Sequence, residues 1–404
     1  MTLTDGEFSL TGEGSNASGA KINLADTATA SLVIAEGASL QNQGDIGTAN
    51  TQGKIKVSGT LTNAPAVTGT SPVPAGTITA AAVEVDGVLS TALDTTYDVT
   101  TTTINTAGEL QTSYNARLDG KTPSTSDVAD ALSISKQIDL AGKITVAGVE
   151  VQKYIVAAGG TFNLNSDKTF DNVQVAGTFA TKDADVTLSV LDVKNGGTAT
   201  VDSGTLNVTT LKTAAANAVT VEDGTLATSL SGLGLKYDAT AGVDKAGTAD
   251  TVAAGSIVLN TGSLFDVDLG SVAEVSASKI SKLTGLVGSS VGLIDIGATK
   301  ITEVDKVIKE GKISWSDLSK LTGIAGVTND TIKSVTVTGL DEVKDHDAIY
   351  GAIEQTDDTS ALNINGVSLT LTPNSSPPVK ALRSVRLVMA VMLRTAPSTS
   401  SLAI

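Results

Sequence analysis

The sequence predicts a mainly β protein: a repetitive β-solenoid of the parallel β-helix kind, or stacked β-hairpins, followed by a region of repeating strand and short helix. Three observations lead there. First, one short phrase recurs, as KVSGTLTN at 56–63, EVDGVLST at 84–91, QVAGTFAT at 174–181, TVDSGTLNV at 200–208 and VEDGTLAT at 221–228. Second, the glycines anchoring such phrases (Gly37, Gly59, Gly87, Gly108, Gly142, Gly160, Gly177, Gly204, Gly224 and Gly262) mostly stand 17–28 residues apart, with gaps of 34 and 38 that each leave room for a degenerate copy. Repeats of this period signal a solenoid or a hairpin stack. Third, only 3 % of the 404 residues are aromatic, so the core is built from small and β-branched side chains that suit stacked strands.

Within the repeats, Lys54-Ile55-Lys56-Val57 alternates, turns at Ser58-Gly59 and resumes as Thr60-Leu61-Thr62. Asp86-Gly87 and Asp223-Gly224 are dipeptides that tight turns with positive φ prefer. In a hairpin stack each glycine occupies a two-residue loop. In a β-helix it occupies a corner of a coil, and like residues stack coil upon coil. The short period matches one coil and favours the β-helix.

The chain divides into residues 1–63, N-terminal β repeats; 64–75, a loop or linker with Pro65, Pro72 and Pro74; 76–268, the main solenoid; 269–372, a strand and short-helix repeat domain; and 373–404, a weakly ordered basic tail. Within the solenoid, 114–136 reads as a break, with a helical excursion capped by Ser126. In the fourth region SKISKLTGLVG at 278–288 returns as SDLSKLTGIAG at 316–326, and each copy precedes a strand-like run, 292–296 and 333–338. Thr302 reads as the N-cap of a helix stopped by Gly311, and 341–344 as a second helix start. The tail holds three of the four arginines (Arg383, Arg386 and Arg394), four of the eight prolines and no acidic residue. Its apolar stretch 387–393 is too short to span a bilayer.

Twenty-seven basic against 43 acidic residues leave a net charge of −16, which disfavours phosphate backbones and hence nucleic acid as a partner. Absent cysteine excludes disulfides and thiolate metal sites. The opening MTLTDGEFSLTGEGS carries neither the basic nor the apolar region of a classical signal peptide, so the export route stays open, and no transmembrane segment is read. His346 is the single histidine, Arg117 the single arginine outside the tail and Trp315 the single tryptophan, a poor inventory for a triad or a sugar-cleaving site. Paired carboxylates remain. On a strand, Asp-x-Asp puts both groups on one face, which makes Asp183, Asp185, Asp266 and Asp268 candidate Ca²⁺ ligands. Asp345/Asp347 and Asp357/Asp358 are further pairs, and Asn16, Asn207, Asn329 and Asn374 stand in Asn-x-Ser/Thr context. No phosphate-cradling loop and no glycine-aspartate calcium repeat is present.

The phrasing over residues 31–265, best seen in SLVIAEGASLQNQGDIG and KIKVSGTLTN, resembles the repetitive passengers of bacterial autotransporter adhesins. The acidic, Cys-free profile and the strand–helix repeat at 278–343 are similar to bacterial surface-layer proteins. Both resemblances imply a secreted, repetitive structural or adhesive protein, often calcium-stabilised. The chain departs from them in lacking a recognisable signal, membrane barrel or wall-binding repeat. The expectation is an extracellular, cell-surface structural protein that self-assembles as a homo-oligomeric lattice or filament, with no enzyme activity and no cofactor besides Ca²⁺. The alternatives are an adhesin or phage-fibre-type protein binding cell-surface glycans, and a carbohydrate-active β-helix enzyme.

Overall fold

A computed structural model describes residues 1–302, apart from 113–130 and intervals of up to four residues, together with the strands Ser334–Thr338 and Ser368–Thr372. The chain forms two compact units: Met1–Lys236 with Lys245–Asp268 and Gly285–Leu293, and Tyr237–Asp244 with Leu269–Thr284 and Ile294–Ile404.

The first unit is a β-solenoid. Each early coil contributes three short strands, and equivalent strands of successive coils pair in parallel. Lys21–Leu24, Ser31–Ile34 and Ser39–Asn42 form one coil, paired with Asp45–Ile46, Lys54–Val57 and Thr60–Thr62 of the next. This parallel register excludes hairpins as the repeating unit, since hairpin partners run antiparallel. Two-residue antiparallel pairs occur beside the stack, Val67–Thr68 with Ser71–Pro72 and part of Lys143–Val146 with Val149–Glu150. In later coils two strands fuse. Thr77–Val85 pairs through its first residues with Asp45–Ile46 and through its last with Lys54–Val57. Thr77–Val85, which follows residues 64–75, therefore stacks directly on strands that precede them.

Alternation puts one apolar row inside each ladder. Leu40, Leu61, Leu89, Leu110 and Ile144 lie one above another in register, each 6 % exposed or less. Burying each of these side chains stabilises the fold by roughly 2 kcal/mol. The scarce aromatics are concentrated in neighbouring coils. Phe162 is in register with Phe179, their rings 6.1 Å apart, and Tyr154 packs against Phe162 at 4.7 Å and Phe170 at 4.9 Å.

The recurrent glycine marks three different corners. Gly59, Gly87, Gly108 and Gly142 precede the ladder Thr60–Thr62, Val88–Ser90, Glu109–Thr112 and Lys143–Val146. Gly160 and Gly177 precede Thr161–Leu164 and Thr178–Thr181, and Gly204 and Gly224 precede Thr205–Thr213 and Thr225–Ser229. The expectation that Gly87 and Gly224 supply positive φ is corrected: neither does. What they supply is a missing Cβ. A Cβ on Gly87 would lie 2.1 Å from Gly59 O in the preceding coil, and one on Gly177 would lie 2.3 Å from both Ala157 O and Gly160 O.

The two long glycine gaps contain no extra coil. Lys143–Val146 pairs directly with Glu109–Thr112 across the first, and Leu264–Asp268 pairs directly with Thr225–Ser229 across the second. Each gap belongs to one coil with an excursion. The capped helix expected from Ser126 lies outside the described residues.

In the second unit, Glu274–Ser276 pairs in parallel with Lys300–Thr302, and Ser334–Thr338 with Ser368–Thr372. Ser281–Thr284, within the first copy of the internal repeat, forms a single helical turn, and Lys282 bonds Asp244 at 2.7 Å. Leu293–Asp295 and Ser334–Thr338 occupy the strand-like runs expected after each copy. Thr302 ends the strand Lys300–Thr302, and the helix expected to start after it lies outside the described residues. The second repeat copy, residues 303–311 and 341–344, and the tail lie outside the described residues.

Candidate functional site

The candidate calcium ligands separate into two places. Asp183 and Asp185 are not on a strand; they occupy the connection between Thr178–Thr181 and Val186–Val193, which corrects the expectation of a shared strand face. There they join coils. Asp185 Oδ1 accepts the Thr205 amide at 2.9 Å, and the Asp185 amide donates to Asp167 Oδ1 at 2.8 Å. Asp183, at φ 51°, accepts the Ser203 hydroxyl at 2.6 Å, while its amide donates to Ser203 Oγ at 2.9 Å. Asp266 and Asp268 do share the outer face of Leu264–Asp268. Among the described residues no three His, Cys, Asp or Glu side chains come together as a metal site. Asp345, Asp347, Asp357, Asp358, His346, Arg117 and Trp315 lie outside the described residues. Of the possible glycan acceptors, Asn207 is exposed and Asn16 is buried.

Outward polar groups make their own coil-to-coil ladders. Lys56 bridges Glu84 and Asp86, both at 3.1 Å, and Asn105 donates to Asp86 at 2.6 Å. The Asn105 amide, with Lys56 and Ser58, holds the Asp86 carboxyl below the usual carboxylate range against partial burial. Lys143 and Thr145 do the same for Glu109, at 2.9 and 2.8 Å. These groups satisfy one another and are occupied in holding coils together.

The arrangement that is left incomplete is the first coil, made of Thr2–Leu3, Glu7–Leu10 and Glu13–Asn16. Its three strands pair with the second coil, and among the described residues no strand pairs with their outer edge. Its core is also thin. At the position held by Leu40 and Leu61 in the next two coils, the first coil has Gly14. A cavity of about 290 Å³ results, lined by Phe8, Leu10, Gly14, Asn16, Ile22 and Leu32 among others. Met1 and Phe8 are large apolar side chains left 53 % and 39 % exposed.

A buried asparagine ladder ends at this coil. Asn16 Nδ2 donates to Asn42 Oδ1 at 2.7 Å, Asn42 Nδ2 to Asn63 Oδ1 at 2.6 Å, and Asn63 Nδ2 to Thr91 Oγ1 at 3.2 Å. Asn16 is 5 % exposed, and its Oδ1 receives no hydrogen bond among the described residues. Asp5, Glu7 and Glu13 are the charged side chains of residues 1–20, while Lys21 and the Met1 N-terminus border the cavity itself. The Thr29 hydroxyl and the Gly6 amide hold the Asp5 carboxyl below its ordinary value. Sequence reasoning missed this site, although the repeated Leu-x-Asn of 40–42 and 61–63, with Gly-x-Asn at 14–16, carried its signal.

Chemically, such an edge offers unpaired backbone donors and acceptors above an apolar hollow, the requirements for adding a β-strand. Among the described residues no helix is long and apolar enough to cross a membrane. No protein family, curated protein or solved structure matches the chain.

Proposed function

We propose that the chain is an extracellular, self-assembling structural protein, the subunit of a cell-surface layer or filament, and that it makes surface rather than turning over a substrate. One observation carries the reading: the open outer edge of the first coil, where three parallel ladders stop above an under-filled core. A strand edge of this kind pairs with another chain unless it is blocked, and a head-to-tail contact that does not close on itself propagates into a filament or lattice. The side chains that bond from coil to coil, among them Asn16, Asn42 and Asn63 inside and Lys56, Glu84 and Asp86 outside, support the same reading. The net charge of −16 keeps free subunits apart at low salt, and salt or divalent cations would relieve that repulsion.

The test is electron microscopy of the purified chain, with and without millimolar Ca²⁺. Ordered sheets or filaments are the expected result. A requirement for Ca²⁺ would make the outward aspartates, Asp266 and Asp268 first, the ligands to mutate. Dispersed single particles under every condition would overturn the reading.

A further inference from the structure

We infer that the outer edge of the first coil captures an extended basic strand, and that residues 379–394 of a second copy of this chain are that strand. The inference rests on the self-assembly proposed above and names the contact that would produce it.

The edge specifies its occupant in three ways. It presents unpaired strand backbone along Glu7–Leu10 and Glu13–Asn16, so the occupant must be extended. It exposes Phe8 over a cavity of about 290 Å³, so the occupant must bring an apolar row. The first coil carries Asp5, Glu7 and Glu13 against the Met1 N-terminus, and the neighbouring Lys21 is paired with Asp45 at 3.5 Å, so the balance of charge favours a basic occupant. Two first coils face to face would set these carboxylates against each other, which charge repulsion opposes.

Residues 379–394 meet all three requirements. Val385, Leu387, Met389, Val391 and Leu393 fall on alternate positions, the period that puts them on one face of a strand. Lys380, Arg383, Arg386 and Arg394 supply positive charge with no acidic residue between them. Pro377, Pro378 and Pro397 bracket the segment and leave its interior free to pair.

A charge swap in the full chain tests the contact. Sedimentation velocity would follow the wild type, a tail variant (Arg383→Glu, Arg386→Glu, Arg394→Glu), an edge variant (Asp5→Lys, Glu7→Lys, Glu13→Lys) and the six-fold combination, with circular dichroism melts verifying that each is folded. The expected result is assembly of the wild type, loss of assembly in each triple variant alone, and its return both in the combination and in an equimolar mixture of the two triple variants. Assembly that survives either reversal, or fails to return, overturns this inference and leaves the self-assembly reading standing. A wild type that remains monomeric, as it would if the segment folded back within its own chain or bound nothing, overturns both.

Discussion

Asn42 Nδ2 lies 2.6 Å from Asn63 Oδ1 in the buried interior of the first unit, tying together two residues 21 apart in the chain. Asn42 also accepts from Asn16 at 2.7 Å and donates to the Thr77 carbonyl at 3.2 Å. Such a side chain serves two coils at once. Asn42→Ala leaves a donor on Asn16 and an acceptor on Asn63 without a partner and is expected to cost roughly 2–3 kcal/mol. Chemical denaturation measures it, and a double-mutant cycle with Asn63→Ala should return clearly less than the sum of the two single losses. Additive losses would mean that the ladder is not acting as a unit.

Gly177→Val drives a branched side chain against Ala157 O and Gly160 O. The expected loss is about 3 kcal/mol, from overpacking rather than from φ. Gly159 provides the contrast, with φ at 83° and no atom within 4 Å of the place a Cβ would take. Gly159→Ala should therefore cost only about 1 kcal/mol, the strain of a left-handed alanine. Thermal melts of the two variants separate steric from torsional demand, and a milder effect at Gly177 than at Gly159 would refute the assignment.

Phe162→Ala empties a position between Tyr154 and Phe179 that is fully buried. A destabilisation of roughly 3–5 kcal/mol is expected, with the Phe162–Phe179 pair coupled by about 1 kcal/mol in a double-mutant cycle. A variant as stable as the wild type would show that neighbouring coils collapse into the space.

The Glu109 carboxyl is held below its ordinary value of 4.5, first by Lys143 and then by Thr145 and Gln111. A group depressed in the folded state adds stability above its unfolded value and loses it as pH falls through the folded one. Lys143 is half exposed, so the contribution is small, about 1 kcal/mol or less. Glu109→Gln should melt below the wild type at pH 7 and close to it at pH 2.5. An equal gap at both pH values would assign the effect to packing.

Asp185→Ala removes the acceptor of the Thr205 amide at a coil connection and should cost about 1 kcal/mol. Hydrogen exchange at Thr205 is the direct readout, and unchanged protection there would show that the bond is not formed in solution.

Much of the fold was legible because its rules are local. The in–out alternation of Lys54-Ile55-Lys56-Val57 is written in adjacent residues, and the parallel stack follows from repeating it at a near-constant period. The identity of the corner was not legible. Gly59, Gly160 and Gly204 each leave no room for a Cβ but stand at three different places, which their pairing partners distinguish. The break read at 114–136 falls in the first long coil, whereas the chain between Thr225–Ser229 and Leu264–Asp268 carries no comparable mark telling one long coil from two short ones. At the candidate site, the Asp-x-Asp spacing suggested a strand at 183–185, but there Asp185 accepts the Thr205 amide and Asp183 the Ser203 hydroxyl in a connection between strands. The thin core of the first coil arises from Gly14 standing where the next two coils place leucine, a contrast that Gly-x-Asn at 14–16 against Leu-x-Asn at 40–42 and 61–63 carries and the register explains.

The sequence spacing of the ladder contacts also bears on how the molecule comes to be. Asp185 and Thr205, bonded across coils, are 20 residues apart, and most of the stack is wound from closures of that size. Each such loop is cheap to close, and each finished coil offers the next a preformed edge on which to lay its strands. A chain leaving the ribosome, or a pore, N-terminus first could wind coil by coil, with every stage already satisfied behind the growing front. The slow steps would then be the long coils, where Lys143 must find Glu109 and Leu264 must find Thr225 across an excursion, and a folding polypeptide would pause at those two positions.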